Sequence, residues 1–154
     1  MLLHFLVAGQ PLALPLKEVR EVLLLPELLR TPNRPPFLEG VLNLAGTAVP
    51  VIRLSRLLQL PDKELEPYDH ILLLHRGYGL LVDSVQKMQP REEGTAIPLP
   101  PSLSFNQCLA ECLQVGDSTL AVLSEEKLLL WEERQRLEEF GKLEQERLAA
   151  VKPE

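Results

Sequence analysis

Residues 36–60, PFLEGVLNLAGTAVPVIRLSRLLQL, constrain the fold more than any other stretch of the chain. Two apolar runs, 37–44 and 48–54, flank the dipeptide Ala45-Gly46. Runs of that length around a Gly-containing turn form a β-hairpin, because glycine takes the positive φ that a tight turn demands. Pro50 has no N–H, so the second strand must run along an edge or carry a bulge there. Ser55 marks the start of a short helix that holds Leu57 and Leu58 and stops before Pro61. The segment supplies no metal ligand set, nucleophile or phosphate loop. Its content is scaffold.

The remaining chain continues the same rhythm. Strands are expected over residues 2–7, 11–16, 21–25, 69–74, 78–82, 85–89, 107–115 and 119–123, besides 38–44 and 47–54 in the hairpin. Turns fall at His75-Arg76-Gly77 and Gly116-Asp117-Ser118, and a small helical piece at 17–19. Many short strands separated by turn residues favour barrels or a sandwich. Fourteen prolines suit a loop-rich β protein; Pro32, Pro35 and Pro36 precede the hairpin, and Pro98, Pro100 and Pro101 mark a second extended connection. At 154 residues a chain buries about 70% of its unfolded surface, so neither a disulfide nor a metal is needed for stability.

Charge and chemistry exclude several functions. A formal charge of −6 without a basic stripe argues against nucleic acid. No apolar run approaches the ~20 residues needed to span a bilayer. The apolar start, residues 1–8, lacks a charged leading region and is followed by a partner strand, so it is read as a core strand of a cytoplasmic protein. Cys108 and Cys112 lie about 13 Å apart along a strand, too far for a disulfide, and are expected to be free, buried or half-buried thiols. Asp83, Ser84, His70 and His75 share a region, but no Gly-x-Ser-x-Gly surrounds any serine. His4, His70 and His75 lack metal-ligand spacing, and Gly77 and Gly79 serve a turn rather than a phosphate. The chain is therefore expected to use no cofactor or metal.

Three ordered motifs carry a family resemblance. Gly40-Val41-Leu42-Asn43-Leu44-Ala45-Gly46 with Val49-Pro50-Val51-Ile52-Arg53-Leu54 resembles the central motif of the CheW chemotaxis coupling proteins, usually Gly-Val-x-Asn-Leu-Arg-Gly and a Pro-Val-Val-Asp-Leu-like strand. Val19-Arg20-Glu21-Val22 resembles the family's Val-x-Glu-Val element. Residues 79–85, GLLVDSV, are similar to its Gly-hydrophobic-Val-Asp-x-Val strand and turn. Phe5-Leu6-Val7 followed by residues 12–16 resembles the opening strand pair, and the likeness extends over roughly residues 2–130.

The resemblance implies a mainly β fold of two small five-stranded β-barrels with a hydrophobic interface and a C-terminal α-helix. The CheW-like domain would span residues 1–131. One barrel would take residues 10–70, the other residues 2–8 with 71–123. It further implies a non-enzymatic adaptor that couples the cytoplasmic tip of a chemoreceptor to the regulatory domain of a CheA-like histidine kinase. Val19, Glu21, Gly40 and Ala45 would lie on or beside the contact surface, with an exposed apolar patch around Val41, Leu42 and Leu44. Ala45 stands where the family has arginine, and Arg53 where it has aspartate; both positions are expected to be exposed. The alternatives are a divergent CheW-like module with another partner in a two-component pathway, or a small β-barrel enzyme using Asp83 and a histidine.

The end of the chain changes character. Ser124-Glu125-Glu126 opens a helix over residues 124–151, acidic residues facing its positive dipole end. Leu128, Leu129, Leu130 and Trp131 are expected to be seated on the barrels. Leu130, Leu137, Phe140, Leu148 and Val151 form a stripe interrupted by Glu133 and Glu144, and Gly141 costs about 1 kcal/mol in a helix interior. That stretch is expected to lie along a barrel or to self-associate with another chain, pairing being favoured.

Overall fold

Short apolar runs punctuated by turns place eleven strands among the described residues of a computed structural model. The structure describes residues 1–32, 34–62, 64–99 and 106–150, apart from the side chains of Asn106 and Trp131. The first half holds β1 (Leu2–Val7), β2 (Gln10–Pro15), β3 (Val19–Leu24), β4 (Leu38–Leu44), β5 (Thr47–Arg53) and helix α1 (Leu54–Leu57). The second holds β6 (His70–Leu74), β7 (Gly79–Val82), β8 (Ser84–Gln89), β9 (Thr95–Ile97), β10 (Leu109–Val115), β11 (Ser118–Leu123), α2 (Glu125–Leu128) and α3 (Trp131–Ala150). The expected positions of Pro100, Pro101 and Val151, and the seating of Trp131, fall outside the described residues.

The strands form two sheets, of order β8-β1-β2-β11-β10-β9 and β3-β6-β7-β5-β4. The fold is mainly β, as expected, but one sheet has six strands rather than five. The sixth is the three-residue β9, and no strand was expected there. Strand membership also differs from the expected barrels. β2 sits beside β1 in the six-stranded sheet, while β6 and β7 belong to the five-stranded one. The physical reason is local. Val7 pairs with Gln10 across Ala8-Gly9, both at positive φ, so β1 and β2 travel as one tight hairpin. β6 and β7 are likewise joined antiparallel, and β6 pairs with β3. The chain changes sheet twice, between β2 and β3 and again at Asp83, whose N–H reaches the Leu6 carbonyl.

Three apolar clusters hold this arrangement. The largest draws Phe5 and Leu12 from one sheet and Leu38, Ile52, Leu72 and Leu80 from the other, all fully buried. A second fills the five-stranded sheet's opposite face with Leu42, Val49, Val51, Ile71 and Leu73. A third, with Leu2, Leu113 and Leu120, does the same for the six-stranded sheet. Because β4, β5, β6 and β7 are covered on both faces over most of their length, they read as near-continuous apolar runs instead of alternating ones.

The central hairpin forms with Leu44 opposite Thr47 and both turn residues at positive φ, 51° at Ala45 and 92° at Gly46. The Asn43 side chain accepts the Gly46 N–H at 2.9 Å and steadies the turn. Pro50 precedes the stretch where β7 joins β5 from Val51 onward, so its missing N–H falls on a locally unpaired side. α1 begins one residue before the expected Ser55, and Leu60 closes back onto the Ser55 carbonyl before Pro61.

The C-terminal segment is two helices, not one. α2 ends at an extended Leu129, and the Leu130 N–H is taken by the Glu133 carboxylate at 2.8 Å, which starts α3. Leu128 and Leu129 are buried, but Leu130 is 63% exposed, contrary to expectation, because the break turns it outward. α3 lies along β5: Leu137 and Phe140 join the large cluster and Leu148 packs against it. The Leu137, Phe140 and Leu148 part of the expected stripe is thus covered by the chain's own core.

Gly40 supplies a test of this packing. The segment after β3 returns to the outer edge of β4, where Leu29 and Val41 exchange both backbone hydrogen bonds, at 2.9 and 2.8 Å. A Cβ on Gly40 would stand 2.5 Å from the Leu29 carbonyl oxygen, a backbone atom that cannot swing aside. Gly40→Ala is expected to destabilise the protein by about 1–3 kcal/mol, read as a lower urea midpoint with faster exchange of the Leu29 and Val41 amides. An unchanged midpoint would sink this account.

Candidate functional site

The residues expected at the contact surface fall on β3 and β4, the two edge strands of the five-stranded sheet, and on the turn that follows β4. On β3, Val19 is half-buried and Glu21 exposed. On β4, Gly40, Val41 and Leu42 are buried, Leu44 is half-buried, and Ala45 is exposed at the tip of the turn. Val41 faces the inter-sheet cluster and Leu42 the opposite one. They cannot form the exposed apolar patch expected of them, since β4 is covered on both faces there. Solvent-facing apolar surface lies instead at Val22 and Leu24 of β3, Leu24 being 62% exposed, and at Leu29, 52% exposed. The uninterrupted run Val22-Leu23-Leu24-Leu25 held that signal, because a strand end with too many apolar residues cannot bury them all.

Arg53 is the largest surprise among the marked positions. It is buried, 8% exposed, at the end of β5 rather than exposed as expected. Its Nη1 lies 3.1 Å from Glu39 Oε2 and its Nε 2.8 Å from Asp62 Oδ1. Arg30 Nε holds the other Glu39 oxygen at 3.1 Å, and Arg56 Nε the other Asp62 oxygen at 2.9 Å. Five charges therefore alternate in sign through the buried pair Glu39–Arg53. Burial alone would raise the Asp62 carboxyl, but the Arg56 hydrogen bond with the charges of Arg53 and Arg56 outweighs it and holds the group below its ordinary range. Glu39 and Asp62 escaped sequence reasoning. The legible hint was Glu39 itself, a lone charge inside the apolar run Phe37-Leu38-Glu39-Gly40-Val41.

A second buried carboxylate ties α2 to the five-stranded sheet. The Tyr78 hydroxyl donates to Glu125 Oε1 at 2.7 Å, and Arg76 Nε stands 2.6 Å from Oε2 without hydrogen-bond alignment. Burial, then that hydrogen bond, pushes the Tyr78 phenol well above its usual value. The chemistry weighed elsewhere stays dispersed. His4 lies on β1 of one sheet, while His70 and His75 bracket β6 of the other. No group of three His, Cys, Asp or Glu side chains among the described residues is placed to hold a metal ion. Cys108 is half-buried and Cys112 buried, both free, and burial raises both thiols. No helix among the described residues is long and apolar enough to cross a membrane.

Two sheets around a shared apolar layer, with β3 at one edge of the five-stranded sheet and the tight central hairpin at the other, define a two-sheet β architecture. The chain belongs to the CheW-like domain family, which matches residues 1–133. Over 70 residues it is 31% identical to the chemotaxis protein CheW of Bacillus subtilis (strain 168), a match covering 46% of this chain and 45% of that protein. The chain therefore matches less than half the length of that relative. Its fold is similar to the crystal structure of the scaffolding protein TtCheW from Thermoanaerobacter tengcongensis, with a TM-score of 0.70 and 21% identity, covering 80% of this chain and 87% of that one.

The charge network predicts a non-additive pair of substitutions. Arg53→Met leaves Glu39 buried with only the half-exposed Arg30, and is expected to cost about 3 kcal/mol in chemical denaturation. Adding Glu39→Leu removes the stranded charge and should recover most of that loss. A loss in the double variant equal to the sum of the two single losses would show that the pair carries no coupling.

His4 gives a pH test. Burial first, and Lys87 second, lower its pKa, so the folded state prefers the neutral ring while the unfolded chain titrates near its ordinary value. Stability is then full above about pH 6.5 and falls as pH drops from there toward the lowered folded value. Thermal midpoints should decline over that window and His4→Gln should flatten the slope; an unchanged slope would count against the assignment.

Proposed function

We propose that the protein is a non-enzymatic, cytoplasmic adaptor that couples a chemoreceptor's cytoplasmic tip to the regulatory domain of a CheA-like histidine kinase. Membership of the CheW-like domain family over residues 1–133 is the observation that carries this reading. The geometry supports it: Val19, Glu21, Val22 and Leu24 line one edge strand, and Ala45 tops the hairpin of the other. An edge strand with unpaired backbone groups and exposed apolar side chains is a ready surface for another folded domain. Kinase control would then be geometric, through the spacing and orientation of the two partners.

A second reading has its own observation. Ala45 removes an arginine, and Arg53, neutralised by Glu39 and Asp62, supplies no free charge in exchange. A CheW-like module with a different partner in a two-component pathway would carry such a change.

One substitution separates the two. Ala45 already occupies the left-handed region at the turn, so Ala45→Arg adds a charged donor without changing the backbone demand. If standard partners are the right ones, it should tighten binding to a receptor tip by about 1.5–3 kcal/mol, at least tenfold in Kd by calorimetric titration. Unchanged or weaker binding, with a kinase regulatory domain that also fails to bind, would favour the second reading.

A further inference from the structure

The outer end of the central hairpin is covered by a helix that lies almost wholly beyond the matched family region. β7 pairs with β5 only at Val51, Ile52 and Arg53, so the Thr47–Pro50 part of β5 has no strand on that side. Ala48 stands opposite Asn43, one pair in from the residues flanking a two-residue turn, and its N–H therefore points away from β4. The Gln145 side chain of α3 fills the place. Its Oε1 accepts the Ala48 N–H at 2.8 Å, and its Nε2 donates to the Gly46 carbonyl at 3.1 Å. One primary amide thus does what a peptide group of a neighbouring strand would do. Gly141 permits the close approach, since a Cβ there would lie 3.3 Å from Pro50 Cγ.

The anchoring of α3 is uneven. α2 is held by buried Leu128 and Leu129 and by Glu125 on Tyr78, whereas the extended Leu129 and exposed Leu130 form a joint before α3. Docking buries Leu137 and Phe140, but it also buries Glu144, whose ion pair is with Arg147 of the same helix. The sheet offers that carboxylate no opposite charge among the interactions described, so seating the helix desolvates an ion at a cost.

We propose that α3 is a displaceable cover over the Gly46–Pro50 edge, hinged at Leu129–Leu130. While it is docked, Gln145 occupies the backbone groups beside Ala45. When it swings away, those groups open to an extended segment of a partner, which would supply main-chain donors and acceptors in the same positions. Helix docking and partner engagement at the hairpin are then mutually exclusive. This inference rests on the reading of the hairpin as a partner surface, and its test keeps the two apart.

The first measurement needs no partner. In the full chain, the Ala48 amide and the amides of α3 should exchange with deuterium together and well before those of β5 beyond Val51. Exchange of Ala48 only with global unfolding would overturn the cover. The second uses Pro50→Cys with Gly141→Cys, positions that touch in the docked state and whose oxidation would pin α3. The oxidised protein should bind a CheA-like regulatory domain about tenfold more weakly than the reduced one, and Gln145→Ala should bind more tightly than the parent. Equal affinity in oxidised and reduced forms overturns the inference. Failure of every form to bind defeats the proposed partners instead, and the exchange result alone then decides whether α3 opens. Should the cysteine pair not fold, Gln145→Ala decides the same question: faster Ala48 exchange without tighter binding overturns the exclusion.

Discussion

The apolar layer between the sheets is the interaction on which everything else depends. Phe5 and Leu12 meet Leu38, Ile52, Leu72 and Leu80 there, and each fully buried side chain of this kind contributes about 1.5–3 kcal/mol. Neither sheet has another means of covering that face. The smaller clusters behind each sheet add to the core, but they draw on residues of one sheet and cannot align it with the other. The layer also reaches α2 and α3, through Leu128, Leu129, Leu137 and Phe140, so the position of the C-terminal helices is set by the same contacts. A scaffold needs its surfaces held at fixed mutual angles, and one continuous layer meets that need more directly than a flexible link between two independent domains.

Around this layer buried Glu39, Arg53 and Glu125 are paired with opposite charges or hydrogen-bond donors. The Arg30–Glu39–Arg53–Asp62–Arg56 series closes the foot of the central hairpin, and Tyr78–Glu125–Arg76 fixes the start of α2. Buried ion pairs add little net stability compared with apolar replacements. Their effect is directional: a hairpin foot clamped by Arg53 has one register with its neighbours, and the exposed turn at Ala45 projects from a base that does not shift.

The sequence made local features legible because their causes are local. The two-residue turn at Ala45-Gly46, the strands on either side, and the break before Pro61 follow from backbone preferences within a few residues. Strand partners were another matter. Nothing in Gln10–Pro15 says that it will lie parallel to Ser118–Leu123, because a fully buried apolar run fits any neighbour. The burial of Arg53 was hidden for a similar reason: its partners, Glu39 and Asp62, come from separate segments. At the candidate site, Ala45 and Glu21 are exposed, yet Val41 and Leu42 turned out to be core, since apolar residues at a family's contact motif look alike whether they face a partner or the interior. The helix at the end was foreseen, whereas its break at Leu129 depends on what Glu133 does to the Leu130 N–H.

The placement of β1 sets the order in which the protein can be made. Leu2 pairs with Gln89, and the β1–β2 hairpin completes its sheet only through β11, where Ala121 lies beside Leu12. On the ribosome the first strands emerge long before either neighbour exists, and their apolar faces must wait for the chain's second half. Pairings this distant in sequence make closure of long loops the slow step. The five-stranded sheet, whose strands all lie between Val19 and Val82, has no such wait. It would therefore be the nucleus, and the N-terminal hairpin among the last pieces to find its place, with exposed strand edges in the interval that invite capture by chaperones or by another nascent copy.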